Sequence, residues 1–217
     1  MEEKFDEILQ LFCVAEPEGC SLEELERVKR VVGEIPEVLK RFYLKCGRTN
    51  NLIYNQDYLV LPDAYPTFIN SEYIIFFNEN QGVCQAGIKK SDAQISDPPV
   101  YVSMDGKEWL KSADKLSDFL VAMYGYQASI CLEYCPEEFY WITKEEKDTI
   151  EQLFRKRKEK LEMWMGFSVT LYGDNCHGRI ALMHQEGEDD IQMNYAANTE
   201  EEYERMAKLL EGIGEPI

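Results

Sequence analysis

The sequence predicts an α+β fold: a mostly antiparallel central sheet flanked by helices, then a carboxy-terminal extension of helix, three strands and helix. Three observations carry the prediction. First, Tyr73-Ile74-Ile75-Phe76-Phe77 is an unbroken aromatic and β-branched run that stops at the polar turn Asn78-Glu79-Asn80. Gln81-Gly82 reverses the chain and Val83 to Ile88 returns as a second strand. Second, Asp97-Pro98-Pro99 leads into Val100-Tyr101-Val102, where prolines suit the entry of a strand because they cannot donate to its ladder. Third, beyond the Asp105-Gly106 turn and Trp109, residues Leu116, Phe119, Leu120 and Met123 recur at intervals of three and four, one face of a helix. Strands and a covering helix together make an α+β nucleus.

The elements before that nucleus are helical. Phe5, Ile8, Leu9 and Phe12 form one apolar stripe, predicting a helix over about residues 3–13 that Pro17 and Gly19 end. Ser21-Leu22-Glu23-Glu24 has the form of a capping box, and Leu25, Val28, Val31 and Val32 continue that helix to Gly33. Pro36 opens a third helix, where its missing N–H costs nothing, and Leu39, Phe42, Tyr43 and Cys46 face inward until Gly47. Arg48 to Gln56 is a polar loop, and Tyr58 to Leu61 a short strand closed by Pro62-Asp63.

After the Leu116 helix the pattern is less regular. Ala128 to Tyr140 fits helix or loop, with Pro136 as a break. Thr143-Lys144-Glu145-Glu146 is a second capping box, and Ile150, Leu153, Phe154, Leu161, Trp164 and Met165 predict one helix face running to about residue 163. Phe167–Tyr172, Arg179–Met183 and Ile191–Tyr195 follow as strands, and Thr199 caps a last helix carrying Tyr203, Met206 and Leu210. Residues 1–130 are expected to form one domain, with 131–217 an extension packed on it as one unit, extension of the first sheet being one route.

Charge bounds the function. The chain holds 23 Lys and Arg against 41 Asp and Glu, a net charge of −18, and the sequence pI is near 4.5. Residues 1–130 hold 13 bases and 21 acids and residues 131–217 hold 10 and 20, so the acidity pervades the chain. Such a field repels phosphate backbones and anionic membranes and favours a basic partner. Acidity also serves solubility alone. The terminus MEEKFDEILQLF carries acids where a secretion signal carries bases, no run reaches the ~18 apolar residues of a membrane span, and the seven cysteines are irregularly spaced. A cytoplasmic protein with reduced thiols is the expectation.

The central residues also carry a resemblance. The apolar strand, Glu79-Asn80-Gln81-Gly82, Gly87, Asp97-Pro98-Pro99-Val100 and Leu116-Ser117-Asp118-Phe119-Leu120 resemble the SUKH superfamily, which takes in bacterial immunity proteins and fungal cell-wall-synthesis regulators. Gly33-Glu34-Ile35-Pro36, Leu39, Phe42, Tyr43 and Gly47 resemble its amino-terminal helices, so the likeness covers about the first 130 residues. Where members often place a Trp before the glycine of the returning strand, this chain has Gln85-Ala86. The resemblance implies a stoichiometric, non-enzymatic inhibitor that binds and occludes a cognate secreted toxin domain. The charge fits a basic nuclease as that toxin. A regulatory scaffold or adaptor and a small-molecule-binding domain are the alternatives.

Cys131-x3-Cys135 and Cys176-His177 supply soft ligands at a spacing poor for zinc, and free cysteines are commonly core residues, so no metal or other cofactor is expected. No nucleophile elbow or phosphate loop occurs, and Glu79 with Asp97, a conceivable carboxylate pair, is a coincidence expected among so many acids. The basic run Arg155 to Lys160 is expected on a solvated helix face, paired at helical spacing with Glu151, Glu159 and Glu162. Aromatics set among acids are the better candidates for a partner surface, with rings supplying affinity and acids steering. These are Tyr54, Asp57, Tyr58, Asp63, Glu79, Asp97, Tyr101 and Trp109, with Tyr65 and Asp105 nearby.

Overall fold

Local signals place the amino-terminal helices. The structure, a computed structural model, describes residues 2–53 and 55–217. Helix α1 (Glu2–Leu11) buries Phe5, Ile8, Leu9 and Leu11. Helix α2 (Leu22–Val32) starts on the predicted capping box: the Ser21 hydroxyl accepts from the Glu24 amide and the Glu24 carboxylate from the Ser21 amide. Helices α3 (Glu37–Cys46) and α4 (Asn50–Ile53) follow.

The first sheet consists of β1 (Tyr58–Leu59), β2 (Tyr73–Asn78), β3 (Gln85–Lys89), β4 (Val100–Ser103) and β5 (Leu110–Ala113), each antiparallel to the next. Strand β5 has no apolar alternation, only two buried residues, and did not declare itself in the sequence. The sheet packs on α5 (Leu116–Cys131), where Phe76 meets Phe119 at 5.6 Å and Phe77 meets Tyr124 at 5.9 Å between ring centroids.

Helix α5 has no polar face because a second sheet covers its other side. That sheet contains β6 (Tyr140–Ile142), β7 (Lys156–Trp164), β8 (Phe167–Tyr172), β9 (Gly178–His184), β10 (Ile191–Ala197) and β11 (Glu215–Pro216), in the order β11-β6-β10-β9-β8-β7. Leu161, Trp164, Val169, Leu171, Ala181 and Met183 point into the core shared with α5. The opposite face packs on α6 (Lys144–Leu153) and α7 (Glu200–Leu209) through Ile150, Phe154, Met206 and Leu210. The carboxy-terminal residues therefore build their own sheet and do not extend the first. Residue 130 falls in the last turn of α5, so the helix packed between the two sheets spans the expected domain boundary.

The predicted helix over residues 144–163 is corrected. It ends at Leu153, and 156–164 is a strand along the sheet's edge in which Glu159 and Leu161 are buried and their neighbours exposed. Its partner strand starts after Met165 and Gly166, at φ 51° and 88°, a positive pair of the kind a two-residue hairpin turn needs. The basic run thus lies on an edge strand, where lysines discourage unwanted pairing. Arg157 and the buried Arg179 both reach Glu7, which ties α1 to the second sheet. Ser112 of β5 donates to the Met163 carbonyl at 2.6 Å, joining the sheet edges.

Candidate functional site

One concavity follows from how β1 begins. Beyond α4, β1 adds only two residues to the outer edge of β2, with Tyr58 opposite Asn78 and Leu59 opposite Phe77. A 3-10 turn over Pro62–Thr67 then carries the chain away. The space left beside this short edge is a groove of about 520 Å³. Ile53, Leu59, Leu61 and Ala64 make its apolar part, and Asn55, Gln56, Tyr58 and Asn80 its polar rim.

Asp57 holds that edge in place. It is fully buried; its amide donates to Gln127 Oε1 of α5 at 2.8 Å, and its Oδ2 accepts from Trp164 Nε1 of β7 at 3.0 Å. One residue thereby fastens the groove wall to both the central helix and the second sheet. Its second oxygen, Oδ1, has no hydrogen-bond partner among the described residues, nor do the buried Gln127 Nε2 and Asn55 Nδ2. Burial pushes the Asp57 carboxyl up to about 6, opposed by the Trp164 indole and the Asn80 amide and reinforced by the negative Glu79. Glu79 is itself only 4% exposed, its Oε2 accepting the amides of Gln81 and Val83 to close the β2–β3 turn. Asn78 Nδ2 donates to the Tyr58 hydroxyl at 2.8 Å and to the Glu79 carbonyl, so rim and turn are one network.

The sequence candidates therefore divide. Tyr58, Asp57 and Glu79 come together, but the two carboxylates are interior and cannot face a partner directly: their side chains satisfy indole and backbone donors inside the fold. Asp63 is exposed beside the groove and pairs with Arg48 at 3.0 Å and Arg27 at 3.6 Å. Tyr54 lies outside the described residues. Asp97 caps α5, accepting from the Ser117 amide at 2.8 Å and its hydroxyl at 2.7 Å. Ser117 and Gln127, which bind Asp97 and Asp57, are ten residues apart on α5, roughly 15 Å along the axis. Tyr65 is a core residue bonded to Tyr43.

Tyr101 and Trp109 form a separate surface on the outer face of the first sheet. Trp109 stacks on Tyr73 at 4.0 Å and 12°, Tyr101 sits 5.9 Å from Tyr73, and Lys89 lies over the Tyr101 ring. Trp109 also covers Gly87, where a Cβ would come within 3.0 Å of the indole. A tryptophan from the β4–β5 connection thus occupies the space over the glycine of the returning strand. Of the four soft ligands, Cys176 and His177 face one another at 3.9 Å, and among the described residues no three His, Cys, Asp or Glu side chains are grouped to hold a metal. Among the same residues, no helix is long and apolar enough to cross a membrane.

Gln56, Leu61 and Ala64 carry no motif, and the turn signal at Asn78-Glu79-Asn80 marks only part of the rim. No family model matches the chain, and comparisons with curated proteins and with solved structures also return no match.

Proposed function

We propose that this chain is a non-enzymatic immunity protein of the SUKH kind, which binds and occludes a cognate secreted toxin domain, with a basic nuclease the best-fitting target. The observation that carries the reading is how the charge is used. More than half of the 23 Lys and Arg side chains are paired with carboxylates of the chain itself, whereas fewer than half of the 41 Asp and Glu have a basic partner among the described residues. The surplus that faces outward is negative, which suits a surface built for phosphate. The groove at β1 adds an apolar recess on which affinity can rest.

The Tyr73–Tyr101–Trp109 face favours a second reading, an adaptor, because it offers an aromatic surface apart from the groove. Co-expression of the tagged protein with the toxic domain encoded beside its gene separates the two. Immunity requires one-to-one co-purification, rescue of host growth, and association that weakens as salt rises. Co-purification of several unrelated proteins, with no binding to the neighbouring domain, would favour the adaptor.

A further inference from the structure

We infer that Cys176 is a reactive thiol, activated by His177 and modified reversibly by exchange with small disulfides. None of the residues involved lines the groove, and the inference does not depend on the identity of any partner. The site lies in the turn between β8 and β9, formed by residues 173–177. There Cys176 Sγ and His177 Nε2 face one another at 3.9 Å. His177 is exposed and Cys176 half-buried, so neither is sealed in the core.

Asn198 decides which ring nitrogen carries the proton. Its Nδ2 donates to the Leu11 carbonyl at 2.9 Å and to the Cys176 carbonyl at 3.1 Å, groups that can only accept. The amide is thereby fixed with Oδ1 toward His177, 3.1 Å from Nδ1. That oxygen also can only accept, so Nδ1 donates. The neutral imidazole then keeps its lone pair on Nε2, the atom that faces the sulfur. The backbone holds the turn in place: the Asn198 amide donates to the His177 carbonyl at 2.7 Å, and the His177 amide to Asn175 Oδ1 at 2.7 Å. A thiol facing a base that a third group orients is the arrangement that activates a nucleophile. Opposite charges adjoin both members of the ion pair that proton transfer creates. The buried Arg179 guanidinium is near enough to interact with a Cys176 thiolate, and the Glu202 carboxylate with a His177 imidazolium.

In the exchange, His177 Nε2 takes the Cys176 proton and the thiolate attacks one sulfur of the disulfide. A new S–S bond forms to Cys176, the reagent's own S–S bond breaks, and the leaving thiolate takes the proton from His177 to depart as free thiol. The other cysteines supply contrasts within the same chain. Cys13 and Cys135 are exposed, and among the described residues neither hydrogen-bonds to a histidine. Cys131 donates to the Gln127 carbonyl at 2.8 Å, and burial pushes its thiol up to about 11. Cys20, Cys46 and Cys84 are buried.

The test incubates the full-length reduced protein with oxidised glutathione near neutral pH and follows each cysteine by mass spectrometry of its peptides. Cys176 should acquire glutathione at least about tenfold faster than Cys13 and Cys135, and dithiothreitol should remove it. Cys20, Cys46 and Cys84 should stay unmodified, which reports in the same digest that the fold is intact. His177→Ala and His177→Gln should each bring Cys176 down to the rate of Cys13 while leaving Cys13 and Cys135 unchanged. A second measurement on the parent needs no variant: long-range proton–nitrogen NMR spectra should show the neutral His177 ring protonated on Nδ1. Cys176 reacting no faster than Cys13 and Cys135 overturns the inference. So does a folded His177 variant whose Cys176 reacts at the parent's rate, or a His177 ring protonated on Nε2.

Discussion

Replacing Asp57 by Asn should remove a loss of stability that sets in as pH rises from about 4 to about 6. The Asp57 carboxyl has its ordinary value near 3.8 in the unfolded chain and about 6 in the folded one. Between those values the folded state holds a proton that the unfolded state has released, so folding is favoured less as pH rises through the window. The penalty is absent below about pH 4 and complete above about pH 6. A shift of about two units corresponds to roughly 3 kcal/mol, at about 1.4 kcal/mol per unit. Asparagine is nearly isosteric, keeps an oxygen for the Trp164 indole, and never ionises.

Urea unfolding followed by tryptophan fluorescence, for parent and Asp57→Asn at several pH values from 4 to 8, measures the effect. The relevant quantity is how the stability difference between the two proteins changes with pH. That change excludes any fixed cost of burying the Asn Nδ2 in place of Oδ1. The variant should gain about 3 kcal/mol on the parent between pH 4 and pH 8, most of it between pH 4 and 6.5. A difference that stays constant across the range would refute the reasoning, because it would place the Asp57 carboxyl in water-like surroundings.

Four further outcomes follow from the packing. Glu7→Gln leaves the guanidinium of buried Arg179, and that of Arg157, without their shared carboxylate, and should cost about 3 kcal/mol in urea unfolding. Gly87→Ala drives a methyl toward the Trp109 ring, and should cost about 1–3 kcal/mol while shifting tryptophan emission as the Tyr73 stack opens. Gly166→Val places a β-branched residue at φ 88° in the β7–β8 turn, and should lower stability by about 1–2 kcal/mol, read as a lower urea midpoint. Asp97→Ala removes the α5 cap and should cost about 1 kcal/mol, read the same way.

What was legible in the sequence was what local chemistry decides. Ser21 with Glu24 and Thr143 with Glu146 announced two helix starts because both partners of each capping bond lie within one turn. Strand β7 was misread because Ile150, Leu153, Phe154, Leu161 and Trp164 satisfy a helical period by accident. The contrary signal sat in two residues, Met165-Gly166, whose positive φ values serve a hairpin. Aromatics set among acids suggest exposed steering groups at Tyr58, Asp57 and Glu79, yet two of the three are interior. Nothing nearby in sequence warns of that, since Asp57 reaches Trp164 across 107 residues. The groove was not legible because α4, β1, the following turn and Asn80 form it only after β1 pairs with β2.

The burial of Asp57 is better explained by position than by stability. A carboxylate buried this deeply is a net cost near neutral pH, and an apolar residue of similar size would fill the space without it. What an apolar residue cannot do is hold the indole of Trp164 and fix the orientation of the segment at the same time. Residues 55, 56 and 58 line the groove on either side of Asp57, so rotating residue 57 moves its wall. Asp57→Asn preserves the oxygen and should preserve partner binding even as it stabilises the fold. Asp57→Leu should keep or raise stability yet weaken binding through a displaced Tyr58 and Gln56. A pair of variants that move stability together and binding apart is the mark of a residue retained for the shape of a site.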